Sequence, residues 1–262
     1  NRERFARTLR FEKVDRMPML EWATWWDKTI DNWRAQGLVI ERRPPLGEGE
    51  ALQVQLGLDL HMQLWVDFTT EKTPQPARYG APIVASLADY ERVLPTLYPQ
   101  DPFDPERLAA CAEYQRRGEA IVWATLIGPF WGPRQLLGIE PHLYAFYDEP
   151  ELMHRINRDL ADYNLRVMDR LCQVVTPDFI TFAEDMSYNN GPMISEQLFD
   201  EFMLPYYQRM APAIKARGTR VIVDSDGDIS RALPWFQRAG VEGILPLERQ
   251  AGVDVAALRA QY

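Results

Sequence analysis

The chain has 262 residues, 46% of them hydrophobic and 26% charged, the proportions of a folded protein with a sizeable core. A net charge of −9 with no basic run excludes nucleic acid and anionic membrane surfaces as expected partners, since nothing would neutralise phosphates. No apolar run approaches the ~18 residues of a membrane span, and Cys111 and Cys172 read as reduced packing residues of a cytoplasmic protein.

In chain order, the opening "NRERFARTLR" predicts a charged amphipathic helix over 2–10. "RMPMLEW" (16–22) and "HMQLWVDF" (61–68) read as strands, followed by "AIVWATLIG" (120–128), richer in β-branched residues. Pro150 suits the first turn of a long helix over roughly 150–175. "DFITFAED" (178–185) is the next strand, and Ser195 is a good N-cap for a helix that Pro205 and Pro212 must kink or interrupt and Gly218 ends. "TRVIVDSD" (219–226) and "VEGILPLE" (241–248) complete the strands; between them Asp228 or Ser230 suits the cap of "RALPWFQRAG". Repeated strand–helix units without hairpin signals predict an α/β fold with a mostly parallel sheet, best fitted by a (β/α)8 TIM barrel forming a single domain over 1–262. About six such units are legible, so the barrel either lacks its last two β/α units or hides a strand in 70–100.

In a barrel, the C-terminal strand ends converge on one mouth. Those ends read Asp67, Glu184 with Asp185, Asp224 with Asp226, and Glu248. Alternation sends Asp224 and Asp226 to the same side, where two like charges repel unless a cation or a proton lies between them. Gly227 is out of register for an EF-hand loop, and Asp228 is read as a turn former or helix cap. Arg134 is a rare positive charge near the third strand's end, suited to a substrate carboxylate or a salt bridge; Tyr188, Asn189 and Asn190 are suited to orienting a substrate. The three histidines, His61, His142 and His154, are scattered and read as structural or surface residues.

The order of "NRERFARTLRFEKVDRMPML", "GPFWGPRQLLG", "FAEDMSYNNGPMISEQLFDEFMLPYY" and "VIVDSDGDI" through "PLERQAGVDVAALRAQY" resembles the uroporphyrinogen decarboxylase superfamily, which includes cobalamin-linked methyltransferases. The resemblance implies the same barrel, with two further β/α units after Tyr262, and makes Asp67 the match of the family's catalytic Asp. True decarboxylases follow the KVDR-x-P strand with an RQAGR segment whose arginines hold substrate carboxylates. Here those positions read Ala23, Thr24, Trp25, Trp26 and Asp27, and an acidic mouth would repel a polycarboxylate. The methyltransferase branch holds Zn²⁺ with His-x-Cys where this chain has Asp224 and Asp226, harder ligands that suit Mg²⁺, Mn²⁺ or Ca²⁺ rather than Zn²⁺.

The expected site is therefore Asp67, Glu184 and Asp185 as catalytic groups; Arg134, Tyr188, Asn189 and Asn190 on the substrate; and Asp224, Asp226 and Glu248 on a divalent metal. Trp25, Trp26, Trp65 and Trp131 are read either as a cover for a flat cofactor or as core. The expected activity is corrinoid-linked methyl transfer on a small molecule. Uroporphyrinogen decarboxylation and a non-catalytic binding subunit are the alternatives, and a corrinoid-carrying protein and a second copy of the chain are the expected partners.

Overall fold

A computed structural model describes residues 1–23 and 25–262. Thr24, one of the positions matched to the decarboxylase arginine segment, lies outside the described residues. The helices are α1 (Arg2–Leu9), α2 (Asp27–Ala35), α3 (Glu48–Gln55), α4 (Leu87–Val93), α5 (Pro105–Arg116), α6 (Trp131–Leu137), α7 (Ile139–Asp148), α8 (Pro150–Cys172), α9 (Glu196–Phe202), α10 (Leu204–Lys215), α11 (Leu233–Arg238) and α12 (Val255–Gln261). The strands are β1 (His61–Trp65), β2 (Ile121–Ile127), β3 (Phe179–Ala183), β4 (Ser187–Tyr188), β5 (Gly191–Pro192), β6 (Arg220–Asp224) and β7 (Gly243–Leu245). The central sheet has five strands in the order β1-β2-β3-β6-β7, and the fold is α/β with parallel strands. No helix is long and apolar enough to cross a membrane among the described residues.

The chain divides into two compact units: residues 1–64, 103–123 and 173–178, and residues 65–102, 124–172 and 179–262. In the first, the segment 16–22 is not the strand its pattern predicts. Pro18 carries no N–H to donate to a ladder, and Met17 and Met19 are 66% and 47% exposed. Buried Asp59 anchors the segment instead. Its carboxylate accepts from Arg16 Nη1 at 2.7 Å, Arg4 Nη1 at 3.0 Å and Met19 N at 2.9 Å, while its own N–H donates to Met19 O at 2.8 Å. Trp22 stacks on Trp123 at 4.1 Å, and Trp123 Nε1 donates to His61 Nδ1 at 3.2 Å, leaving the proton of a neutral ring on Nε2, which meets Glu21 O at 2.7 Å. Burial pushes the His61 pKa down, so this histidine is a neutral structural group.

The second unit carries β3, β6 and β7 in parallel register, with Ala183 opposite Asp224 and Asp224 opposite Leu245. β3 is apolar along both faces, with Phe179, Ile180 and Phe182 all buried, as a strand covered on both sides requires. Phe182 meets Tyr207 of α10 edge-on at 5.2 Å, and Tyr207 meets Phe236 of α11 at 5.9 Å. Ser195 Oγ caps the helix that follows, accepting from Leu198 N at 3.3 Å. That helix is interrupted at Met203, with Pro205 in the first turn of α10, where its missing N–H costs nothing.

Three expectations are corrected. The stretch 70–100 holds α4 and a single bridge, Thr69 with Leu97, but no strand among the described residues. β4 and β5 form a small antiparallel hairpin with Asn189 and Asn190 at its tip, although no hairpin was legible. Neither Asp228 nor Ser230 caps α11: its N-cap residue is Ala232, and Asp228 Oδ1 accepts instead from Ser230 N at 3.0 Å.

Candidate functional site: the carboxylates of β3 and β6

Because β3 and β6 run parallel with Ala183 beside Asp224, residues two positions further along each strand also become neighbours. Asp185, Asp224 and Asp226 accordingly offer carboxylate oxygens that all lie within 4.8 Å of one another. Like charges at such separations repel by roughly 1–3 kcal/mol per pair in a half-solvated setting. Burial, reinforced by Asp185 and Asp226, pushes Asp224 up to about 7. Burial and carboxylate neighbours also raise Asp185 and Asp226. Asp185 is held at φ 42, a left-handed conformation that a non-glycine residue adopts at a cost of order 1–3 kcal/mol.

The loop after β6 is shaped by contacts that leave little freedom. Gly227 has φ 87, and a Cβ there would lie 2.7 Å from Tyr188 Cα. Its N–H donates to Glu248 Oε2 at 2.5 Å, Met186 N donates to Ser225 Oγ at 3.1 Å, and Asp228 N donates to Tyr188 O at 3.0 Å. Glu248 thus braces the loop; its other oxygen accepts from Gln250 Nε2 at 2.9 Å, and it stands beside the three-carboxylate group rather than in it.

Glu184, expected at the mouth with Asp185, is on the other side of β3. It is wholly buried, and its carboxylate lies against Gly128, where a Cβ would come within 2.3 Å. Phe130 N and Trp131 N donate to its Oε2 at 2.8 and 3.1 Å, and the Tyr207 hydroxyl donates to Oε1. Burial raises its pKa to about 8 against the pull of these donors, and raises Tyr207 well above its ordinary value. Period two, which unites Asp224 with Asp226, separates Glu184 from Asp185. Tyr207 and Gly128 belong to this lock and were not singled out in the sequence, because their meeting with Glu184 is a tertiary contact that no local pattern announces.

The remaining expected residues are dispersed. Asp67 is exposed and turns back on its own loop, accepting from Thr69 N and Oγ1, both at 2.9 Å, while Tyr163 donates to its carbonyl at 2.7 Å. Arg134 forms no ion pair among the described residues. Its Nη1 donates to the Asp185 carbonyl at 3.3 Å and its guanidinium lies 4.8 Å over the Trp131 ring. Tyr188, Asn189 and Asn190 are exposed on the hairpin. Trp25 tilts against Trp33 at 5.8 Å, whereas Trp26 and Trp65 are 75% and 57% exposed. His142 is buried against Phe130 and Phe146, and His154 stacks on Phe202, so neither joins the carboxylates. Two larger cavities, of about 660 and 410 Å³, belong to the first unit and contain none of these carboxylates.

The parallel sheet with acidic strand ends defines an α/β protein of the kind that carries its chemistry at the carboxyl ends of its strands. Residues 60–258 match the family Uroporphyrinogen decarboxylase (URO-D), and the chain belongs to that family. Among solved structures it is similar in fold to a methyltransferase from Methanosarcina mazei, with a TM-score of 0.59 and 12% identity, covering 93% of this chain and 74% of that one. No curated protein sequence matches.

Proposed function

We propose that this chain is a URO-D-family enzyme, built on a (β/α)8 barrel, that uses a hard divalent cation held by Asp185, Asp224 and Asp226 to act on an oxygen-bearing small molecule. The observation that carries this reading is the convergence of three carboxylates, toward which Arg134 contributes charge at Asp185 without forming an ion pair among the described residues. The donor set fits Mg²⁺, Mn²⁺ or Ca²⁺, because all three ligands are carboxylate oxygens, and it does not fit the sulfur-and-nitrogen site of a zinc–thiol methyltransferase. When bound, the cation supplies Lewis-acid polarisation of a substrate oxygen. Asp224, the more enclosed of the β6 pair, would anchor it, and Asp226, the more exposed, would face the substrate. The strained backbone of Asp185 fixes the third ligand, and Glu248 keeps the loop in place through Gly227 N.

Methyl transfer to a corrinoid carried by a partner protein is the reaction put first, on the family's membership and the fold shared with a methyltransferase. Tetrapyrrole decarboxylation is disfavoured because Ala23, Thr24, Trp25, Trp26 and Asp27 stand where true decarboxylases carry the arginines that hold the substrate's carboxylates. The test compares demethylation of methoxylated and methylamine compounds, with corrinoid and Mg²⁺ or Mn²⁺ supplied, against uroporphyrinogen turnover. Metal-dependent demethylation that falls at least about 100-fold in Asp224→Asn/Asp226→Asn is expected. Uroporphyrinogen turnover that survives in the double variant would contradict the proposal.

A further inference from the structure

Arg134 and its neighbour Gln135 share a pocket that the carboxylate cluster does not explain. About 290 Å³ of space is walled by Tyr79, Ile83, Trp131 and Ile139, near the lower end of the range of small-molecule sites. Thr69, Thr73 and Gln75 also line it, but Arg134 and Gln135 are the polar side chains with unused capacity. Arg134 forms no ion pair among the described residues; it spends one N–H on the Asp185 carbonyl and its charge bears on the nearby Asp185 carboxylate. Gln135 Oε1 is buried and accepts nothing. A buried acceptor left without a donor is costly unless a ligand completes it, and the half-buried Arg134 beside it has N–H groups to spare.

The pocket is also built in advance. Thr70 Oγ1 and Thr73 Oγ1 both donate to Thr96 O, at 2.8 and 2.9 Å, and tie down the start of the loop 69–83. Ile83 N donates to Leu136 O at 2.9 Å and Ile139 N to Gly80 O at 3.0 Å, tying its far end to α6 and α7. Gly138 permits that approach, since a Cβ there would lie 2.4 Å from Gly80 O. Tyr79 is 89% exposed at the rim, with its ring still open to cover a ligand.

We infer that this pocket takes a small monocarboxylate with a flat apolar body, its carboxylate on Arg134 and a hydroxyl or amine donor against Gln135 Oε1. As the substrate pocket of the carboxylate site, it rests on the proposed function. A single negative charge matches one guanidinium, whereas a dianion such as a phosphate would be repelled by Asp185 close by. The aromatic and aliphatic walls favour a planar body over a sugar.

The test is calorimetric titration of the full chain with benzoate, the hydroxybenzoates and benzamide, alongside metal analysis of the same samples. Benzoate is expected to bind about tenfold or more tightly than benzamide. Arg134→Gln should abolish that preference, and Gln135→Leu should remove the extra affinity of the best hydroxybenzoate while leaving benzoate unaffected. The carboxylate–amide comparison on the unaltered protein stands even where a variant folds poorly. Equal binding of benzoate and benzamide, no binding of either at millimolar concentration, or a preference that survives Arg134→Gln would overturn the assignment. A preference retained in metal-free Asp224→Asn/Asp226→Asn supports the pocket independently of the cation. Absence of metal from the unaltered protein, with the preference intact, would sink only the metal site.

Discussion

Half-buried Asp224 and wholly buried Glu184 are both carboxylates raised far above their ordinary values, yet their surroundings assign them different work. Three donors converge on Glu184, so it acts as a lock between β3, the turn after β2 and α10. Glu184→Gln turns one acceptor oxygen into an NH₂ facing donors, and is expected to lower stability by about 2–4 kcal/mol in urea unfolding. Divalent-ion affinity of the folded fraction should change little; a tenfold loss would make Glu184 part of the metal site after all. Asp224 accepts no comparable set of donors, so its raised pKa reflects repulsion and burial. Its protonated form stabilises the fold fully below the unfolded value near 3.8, and that stabilisation is lost as pH rises through about 7. Asp15 and Asp59, held low by arginines, contribute a constant amount between pH 5 and 8. Glu184, raised to about 8, titrates in the same direction as Asp224, whereas His61 and His142, lowered by burial, titrate in the opposite one. Metal-free protein is therefore expected to melt several degrees lower at pH 8 than at pH 5, and Asp224→Asn to reduce that gap. An unchanged gap in the variant would place the titration elsewhere.

The parallel ends of β3 and β6 turn two short acidic runs into one cluster, and the loops beyond them hold it. Gly227→Ala would force a Cβ into the Tyr188 backbone at a positive φ, and is expected to cost about 2 kcal/mol or more and to weaken divalent-ion binding with it. Thermal unfolding with and without Mn²⁺ checks this; a variant with normal metal stabilisation would show that the loop's shape is dispensable. Most of this level was legible in the sequence. β2, β3 and β6 announced themselves by β-branched runs ending in Gly or Asp, and alternation alone puts Asp224 and Asp226 on one side of the strand. Other features were not, for physical reasons. The side of the strand on which Glu184 lies depends on register, and a short acidic run at a strand's end looks the same in either phase. "RMPMLEW" has a strand's composition but is held by an arginine–aspartate clamp from distant positions, and no local pattern encodes a tertiary hydrogen bond. The hairpin 187–192 is too short for its pairing to emerge from alternation.

For the whole molecule, the net charge of −9 makes the strand ends an unfavourable place for a polyanion unless a cation intervenes. The chain belongs to the URO-D family and shares its fold with a methyltransferase, and the proposed reading turns on whether Asp224 and Asp226 at the end of β6 hold a cation. The most direct test is the metal content of purified protein, before and after exchange with Mg²⁺, Mn²⁺ and Zn²⁺, for the unaltered chain and for Asp224→Asn/Asp226→Asn. One hard divalent ion per chain, lost in the double variant while the fold is retained, is the expected result. No metal in the unaltered protein after exchange, or equal metal in both, would contradict it and leave the three carboxylates as proton-sharing groups.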